Sequence, residues 1–142
     1  MLNTIDLFAG CGGLTEGFKQ SGHFKMLAAV EWDKDALATL CDRLMHAHGY
    51  KDAAKRCILA DIQDTKSLIH GKDADDEFPS HEGLDALVND KKVDVIIGGP
   101  PCQAYSVAGR IRDENGMHED YRNYLFESYM AVVNHFKPAA CI

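Results

Sequence analysis

The side chains best placed to do chemistry in this sequence stand at the ends of short apolar runs. Cys102 follows the β-branched run 93–97 across Gly98-Gly-Pro-Pro and opens the stretch Cys102-Gln-Ala-Tyr-Ser106. The two prolines fix the backbone ahead of the thiol and remove two N–H donors, so the segment is stiff and cannot extend a sheet. A thiol on such a support can act as a nucleophile once its thiolate is stabilised. The other cysteines lack that setting. Cys41 lies in a helical pattern, Cys57 and Cys141 in strand-like runs and Cys11 in a glycine turn, and packing or turn roles are expected for all four.

A second group of residues is suited to holding a nucleoside. The turn Asp6-Leu-Phe-Ala-Gly10-Cys-Gly12-Gly13 combines glycines, which allow close approach of the backbone to a ligand, with a following helix start that offers unpaired N–H groups. It is G-x-G-G rather than a full G-x-G-x-x-G, and a purely structural tight turn is the alternative. Glu31 ends the next apolar run, where a carboxylate can accept from both ribose hydroxyls of an adenosine ligand. Trp32, the only tryptophan, either packs in the core or stacks on adenine. Asp61 ends a third run; it either accepts from an exocyclic amine, with Ile62 offering an apolar face, or caps a helix. Three consecutive run ends carrying these groups specify adenosine, without choosing between NAD and S-adenosylmethionine.

The elements that must position these groups follow from the hydrophobic pattern. Apolar runs at 5–8, 26–30, 57–60 and 93–97 alternate with helical periodicity at 14–20, 34–48 and 121–136, the last carrying Leu125, Tyr129, Val132 and Phe136 on one stripe. This order predicts an α/β fold, a doubly wound and mostly parallel sheet covered on both faces. In such sheets ligands sit beyond the carboxyl ends of the strands. Segment 65–90, rich in Asp and Glu, reads as a surface excursion with a short helix near 84–88. A fifth strand is expected to begin just after Pro138. His46 and His48 are spaced for a solvated helix face, and no metal site is expected.

Composition bounds the reading. With 142 residues and 46% hydrophobic content the chain can bury a core as one globular domain, and its 4 Pro and 12 Gly exclude collagen-like character. No apolar run approaches the roughly 18 residues of a membrane span. The N-terminus has no basic leader segment, and five cysteines without C-x-x-C spacing fit a reducing compartment, so an intracellular, cytoplasmic or nucleoid-associated protein is expected. The net charge of -7 argues against simple electrostatic nucleic-acid binding.

On its motifs the chain nevertheless resembles the DNA cytosine-5 methyltransferases. IDLFAGCGG, then Glu31-Trp-Asp, Asp61 and GGPPCQAYS match the ordered N-terminal motifs of that family, over residues 5–125. The resemblance implies a Rossmann-like methyltransferase fold, incomplete at its C-terminus and lacking a target recognition domain. It implies that Cys102 adds to C6 of a cytosine flipped out of DNA, making C5 nucleophilic toward the methyl of S-adenosylmethionine. It further implies that Phe8, Gly10, Gly12, Glu31, Trp32, Asp61, Ile62, Pro100 and Leu125 contact the cofactor. Gln103 and Ser106 would begin a loop that closes over DNA, and residues 104–120 have the composition of a lid.

The family's Glu-Asn-Val motif, which supplies a carboxyl group to N3 of cytosine, does not occur in these residues, nor do its later motifs. The chain alone is therefore expected to be inactive and to need a missing C-terminal half or a complementing subunit. An RNA cytosine-5 methyltransferase, or a non-catalytic module binding NAD or S-adenosylmethionine, are the alternatives.

Overall fold

The computed structural model describes residues 1–101 and 124–142. Strands β1 (Leu2–Leu7), β2 (Phe24–Glu31), β3 (Cys57–Leu59), β4 (Val95–Gly98) and β5 (Ala140–Cys141) form one sheet in the order β3-β2-β1-β4-β5. Every pairing in it is parallel. The chain winds outward from β1 to β3, then returns to the other side of β1 for β4 and β5. The reversal lies between β1 and β4, which is where a doubly wound sheet opens a crevice at its carboxyl edge.

Helices cover both faces, as alternating strands and helical patterns require. On one face, α1 (Gly13–Gln20), α2 (Lys34–His46) and the single turn α3 (Ala53–Arg56) pack on the sheet, with Leu37, Leu40 and Leu44 meeting Ala29 and Ala9. On the other face, α4 (Thr65–His70), α5 (Gly83–Val88) and α6 (Leu125–Phe136) enclose the larger core, built on Ile5, Leu7, Val30 and Ile96. The period-2 alternation is visible in β4, where Ile96 joins that core while Val95 and Ile97 join Met26 on the opposite face.

The 65–90 segment differs from the expected surface excursion. Leu68, Leu84 and Val88 belong to the main core, while every residue of the acidic stretch 73–77 is exposed. Two helices too short to show a full apolar stripe flank that acidic run, which dominates any averaged reading of the segment. Asp64 caps α4, accepting from the Ser67 N–H at 3.3 Å.

His48 also departs from its expected solvated helix face. It lies beyond α2, with Nε2 2.9 Å from Glu16 Oε2. Glu16 accepts from Arg43 Nε and Nη2 as well, and Arg43 first, then His48, holds its carboxyl far below the usual range. This cluster links α1 to α2. The expected fifth strand is present, with Val95 opposite Ala140 and Ile96 opposite Cys141. Among the described residues no helix is long and apolar enough to cross a membrane.

Candidate functional site

The site is assembled where β1, β2 and β3 end. β1 stops at Leu7, and Phe8 takes up a left-handed conformation with φ 58°, uncommon for a bulky residue. This twist leaves the Ala9 N–H donating to the Val30 carbonyl at 3.0 Å and releases the chain into a turn closed by the Gly12 N–H on the Ala9 carbonyl, 2.9 Å. Gly12 sits at φ 93° against Leu40, and a Cβ there would lie 2.5 Å from Leu40 Cδ1. The backbone angle thus favours glycine at that point, and any side chain there would require Leu40 to move.

Glu31 binds this turn to the next. Its Oε2 accepts from the Gly10 N–H at 2.8 Å, while Oε1 accepts from the N–H groups of Trp32 and Asp33 at 2.9 and 3.0 Å. The ribose-acceptor expectation therefore meets a carboxylate already fixed in orientation, with lone-pair capacity remaining on its two oxygens. Trp32 is 62% exposed, which removes the core-packing alternative. Asp61 does not cap α4, a task taken by Asp64; its Oδ1 accepts from the Gln63 N–H at 2.9 Å, which orients the carboxylate at the β3 end.

These strand ends surround a cavity of about 220 Å³. Phe8, Glu31, Trp32, Asp61, Ile62 and Leu125 all line it. Gly10 and Gly12 are not among its lining residues, and Pro101 rather than Pro100 forms part of its wall, with Gly99. Val30, Ala60 and Gln63 complete the lining and carry no motif that singles them out. Val30 and Ala60 each precede a site carboxylate, so adjacency to Glu31 and Asp61 is the available signal; nothing in the sequence marks Gln63. Cys102, Gln103 and Ser106 lie outside the described residues.

Below the glycine turn, Asp6 is fully buried, with Oδ2 accepting from the Thr15 hydroxyl at 2.6 Å. Burial pushes its carboxyl from 3.8 up to about 6, against the lowering pull of Thr15 and with a further upward push from Glu31. Cys57 and Cys41 pack beside the second core cluster. Burial and the neighbouring Cys41 push the Cys57 thiol up to about 12, so it stays protonated. Among the described residues no three His, Cys, Asp or Glu side chains converge as metal ligands.

The cavity thus brings together apolar side chains (Phe8, Ile62, Leu125), two oriented carboxylates and an exposed indole, the kinds of group that a nucleoside ligand calls for. Comparisons with known proteins show the family. The profile of the family described as C-5 cytosine-specific DNA methylase matches residues 2–142. Type II methyltransferase M.Bpa9945I of Bacillus paralicheniformis is 31% identical, over 97% of this chain and 39% of its own length. M.AgeI of Thalassovita gelatinovora is 35% identical, over 98% of this chain and 26% of its own. The chain thus spans well under half the length of either relative. Among solved structures, a prophage-encoded E. coli protein described as a DNA modification methyltransferase superposes with a TM-score of 0.59 at 27% identity, covering 97% of this chain and 30% of that one. A variant of Spodoptera frugiperda DNMT2 shares the fold, with a TM-score of 0.51 at 20% identity, covering 94% of this chain and 31% of that one.

Proposed function

Since the chain belongs to the C-5 cytosine-specific DNA methylase family, we propose that it binds S-adenosylmethionine in the cavity at the β1–β3 ends and serves methylation of cytosine C5 in DNA. The observation that carries this reading is the convergence of Phe8, Glu31, Trp32, Asp61, Ile62 and Leu125 on one cavity whose wall also includes Gly99 and Pro101. The residues fit the cofactor: Glu31 for the ribose hydroxyls, Asp61 for the exocyclic amine, Phe8, Trp32, Ile62 and Leu125 for the adenine faces, and the Gly10–Gly12 turn for close backbone approach. At about 220 Å³ the cavity is smaller than the roughly 300–1,000 Å³ of complete ligand pockets, which suits the nucleoside end of that ligand. When bound, S-adenosylmethionine supplies an electrophilic methyl group on its sulfonium.

Cys102, directly after the Pro101 wall, is the proposed nucleophile. Its thiolate adds to C6 of a cytosine held outside the duplex, and the electron pair released into the ring makes C5 nucleophilic. After C5 is methylated, loss of the C5 proton and expulsion of the thiolate restore the aromatic ring and free the enzyme. Gln103 and Ser106 are proposed to contact the substrate. We further propose that residues 1–142 act as the cofactor-and-nucleophile portion of a larger or split enzyme inside the cell, in a restriction-modification setting like that of the Type II relatives. The partial coverage of those relatives supports this division. A general acid at N3 of cytosine, commonly worth about 10²–10⁴-fold, would come from the complementing portion, so the isolated chain is expected to transfer no methyl group.

The test is mass spectrometry after incubation with a 5-fluorocytosine DNA oligonucleotide, S-adenosylmethionine and a complementing C-terminal portion. The expected result is a covalent adduct mapped to Cys102 and lost in Cys102→Ser. An adduct on RNA alone, or none at Cys102, would overturn the reading, as would tritium transfer from labelled cofactor by the 142 residues unaided.

A further inference from the structure

Tyr129 occupies a place that neither the cavity lining nor the reaction accounts for. Its ring is 6% exposed, within the main core, one helical turn after Leu125 on the same face of α6. Its hydroxyl lies 3.2 Å from the Ile96 carbonyl and 3.3 Å from the Ile142 carbonyl and donates to that pair. Those two carbonyls close the last rung between β4 and β5, since the Gly98 N–H donates to Ile142 at 2.9 Å and the Ile142 N–H to Ile96 at 3.0 Å. The ring also bounds Gly98 from one side. A Cβ at Gly98 would lie 3.1 Å from Tyr129 Cε2 and would collide with the Leu7 carbonyl oxygen of β1.

Gly98 therefore sits in a slot too tight for a side chain, bounded by the β1 backbone and by the Tyr129 ring. Beyond it run Gly99, Pro100 and Pro101, of which the two prolines have no N–H with which to anchor themselves. At the base of this stiff segment the backbone is anchored by the Gly98 N–H on the Ile142 carbonyl. A phenylalanine would fill the same slot; the hydroxyl adds only the hold on the two carbonyls. Burial keeps that hydroxyl protonated, its pKa pushed up to about 12, so it remains a donor across the working pH range.

We propose that Tyr129 is a positioning residue: through the Gly98 rung its hydroxyl sets the line of the Gly99–Pro101 segment, and so the part of the cavity wall that Gly99 and Pro101 form. The proposal rests on the reading of that cavity as the cofactor site. Its test is Tyr129→Phe in the 142-residue chain, with backbone hydrogen exchange and S-adenosylhomocysteine titration by calorimetry, both well below the unfolding midpoint. The expected result is that the Gly98 amide exchanges about tenfold faster while those of Ile5 and Ala29 in the central strands keep their rates, the pattern of a local opening. The affinity for S-adenosylhomocysteine is expected to fall by about threefold to tenfold, the scale of one lost hydrogen bond. A hydroxyl that merely stabilised the fold would lower the unfolding midpoint and leave both readouts in place. An unchanged Gly98 amide, or an unchanged affinity in the variant of a chain that does bind, overturns the proposal. A wild-type chain with no affinity for the ligand overturns the cofactor reading instead, and the Gly98 amide then decides the role of Tyr129 by itself.

Discussion

Asp6 shows how a residue beneath a site can act on the whole molecule. Its carboxyl titrates near 3.8 in an open chain and is raised to about 6 by burial. Between those values the folded state holds a proton that the unfolded state has released, so its contribution to stability is full below about pH 4 and is lost as pH rises through 6. A difference of that size corresponds to about 3 kcal/mol. Asp6→Asn removes this dependence and can still accept from Thr15. Thermal unfolding of the two proteins should therefore diverge in favour of the variant between about pH 4 and pH 6, by an amount approaching that figure, and then run parallel; a gap independent of pH would refute the assignment. The glycine turn offers a second contrast. Gly10 and Gly12 both have positive φ, for which an L side chain costs about 1–2 kcal/mol. Only at Gly12 does a Cβ meet a neighbour, Leu40; at Gly10 the space is open. Gly12→Ala should thus lose about 1–3 kcal/mol more than Gly10→Ala in urea unfolding, and equal losses would show that Leu40 yields without cost.

Among the elements, α4 and α5 carry more of the core than their acidic surroundings indicate. Leu84 is fully buried on α5, among the residues of the main cluster. Leu84→Ala should cost about 2–5 kcal/mol, read as a shift of the urea midpoint at constant slope. A solvated insertion would give a shift near zero. The same elements bear on the site: Ile62 precedes α4, Leu125 opens α6, and both stand on the cavity wall. Glu31 also joins the turn after β1 to the start of α2, so one carboxylate ties the two loops together. The Phe8 backbone, held left-handed between them, is the strained point of that junction.

For the whole molecule, the proposed cofactor site makes stability depend on ligand. At S-adenosylhomocysteine concentrations a hundred times Kd the folded state gains about 2.7 kcal/mol, which for a domain of this size raises the unfolding midpoint by roughly 5–10 °C. Glu31→Ala should abolish that rise, and NAD should cause none; a rise with NAD alone would favour the dinucleotide alternative. The net charge of -7 is compatible with the proposed division, in which another portion would supply the DNA-facing surface. Much of this was legible in the sequence because local rules dictate it. Apolar runs that stop at glycine or at a carboxylate mark strand ends in a parallel sheet, and so Glu31, Asp61 and Ile62 could be placed at one edge from the pattern, while Phe8 entered only through the family resemblance. The parallel order and the expected strand after Pro138 followed from the same alternation. The tertiary structure alone decided what those residues do to one another. It turned Glu31 from a waiting acceptor into the clasp of two loops, and moved the capping role from Asp61 to Asp64. It brought Val30, Ala60, Gln63 and Pro101 to the cavity wall, drew Leu84 into the core, and put the Tyr129 hydroxyl on the rung beneath the Gly98 turn. Each of these depends on contacts between residues far apart along the chain, and periodicity within one segment carries no information about which distant backbone will close over it.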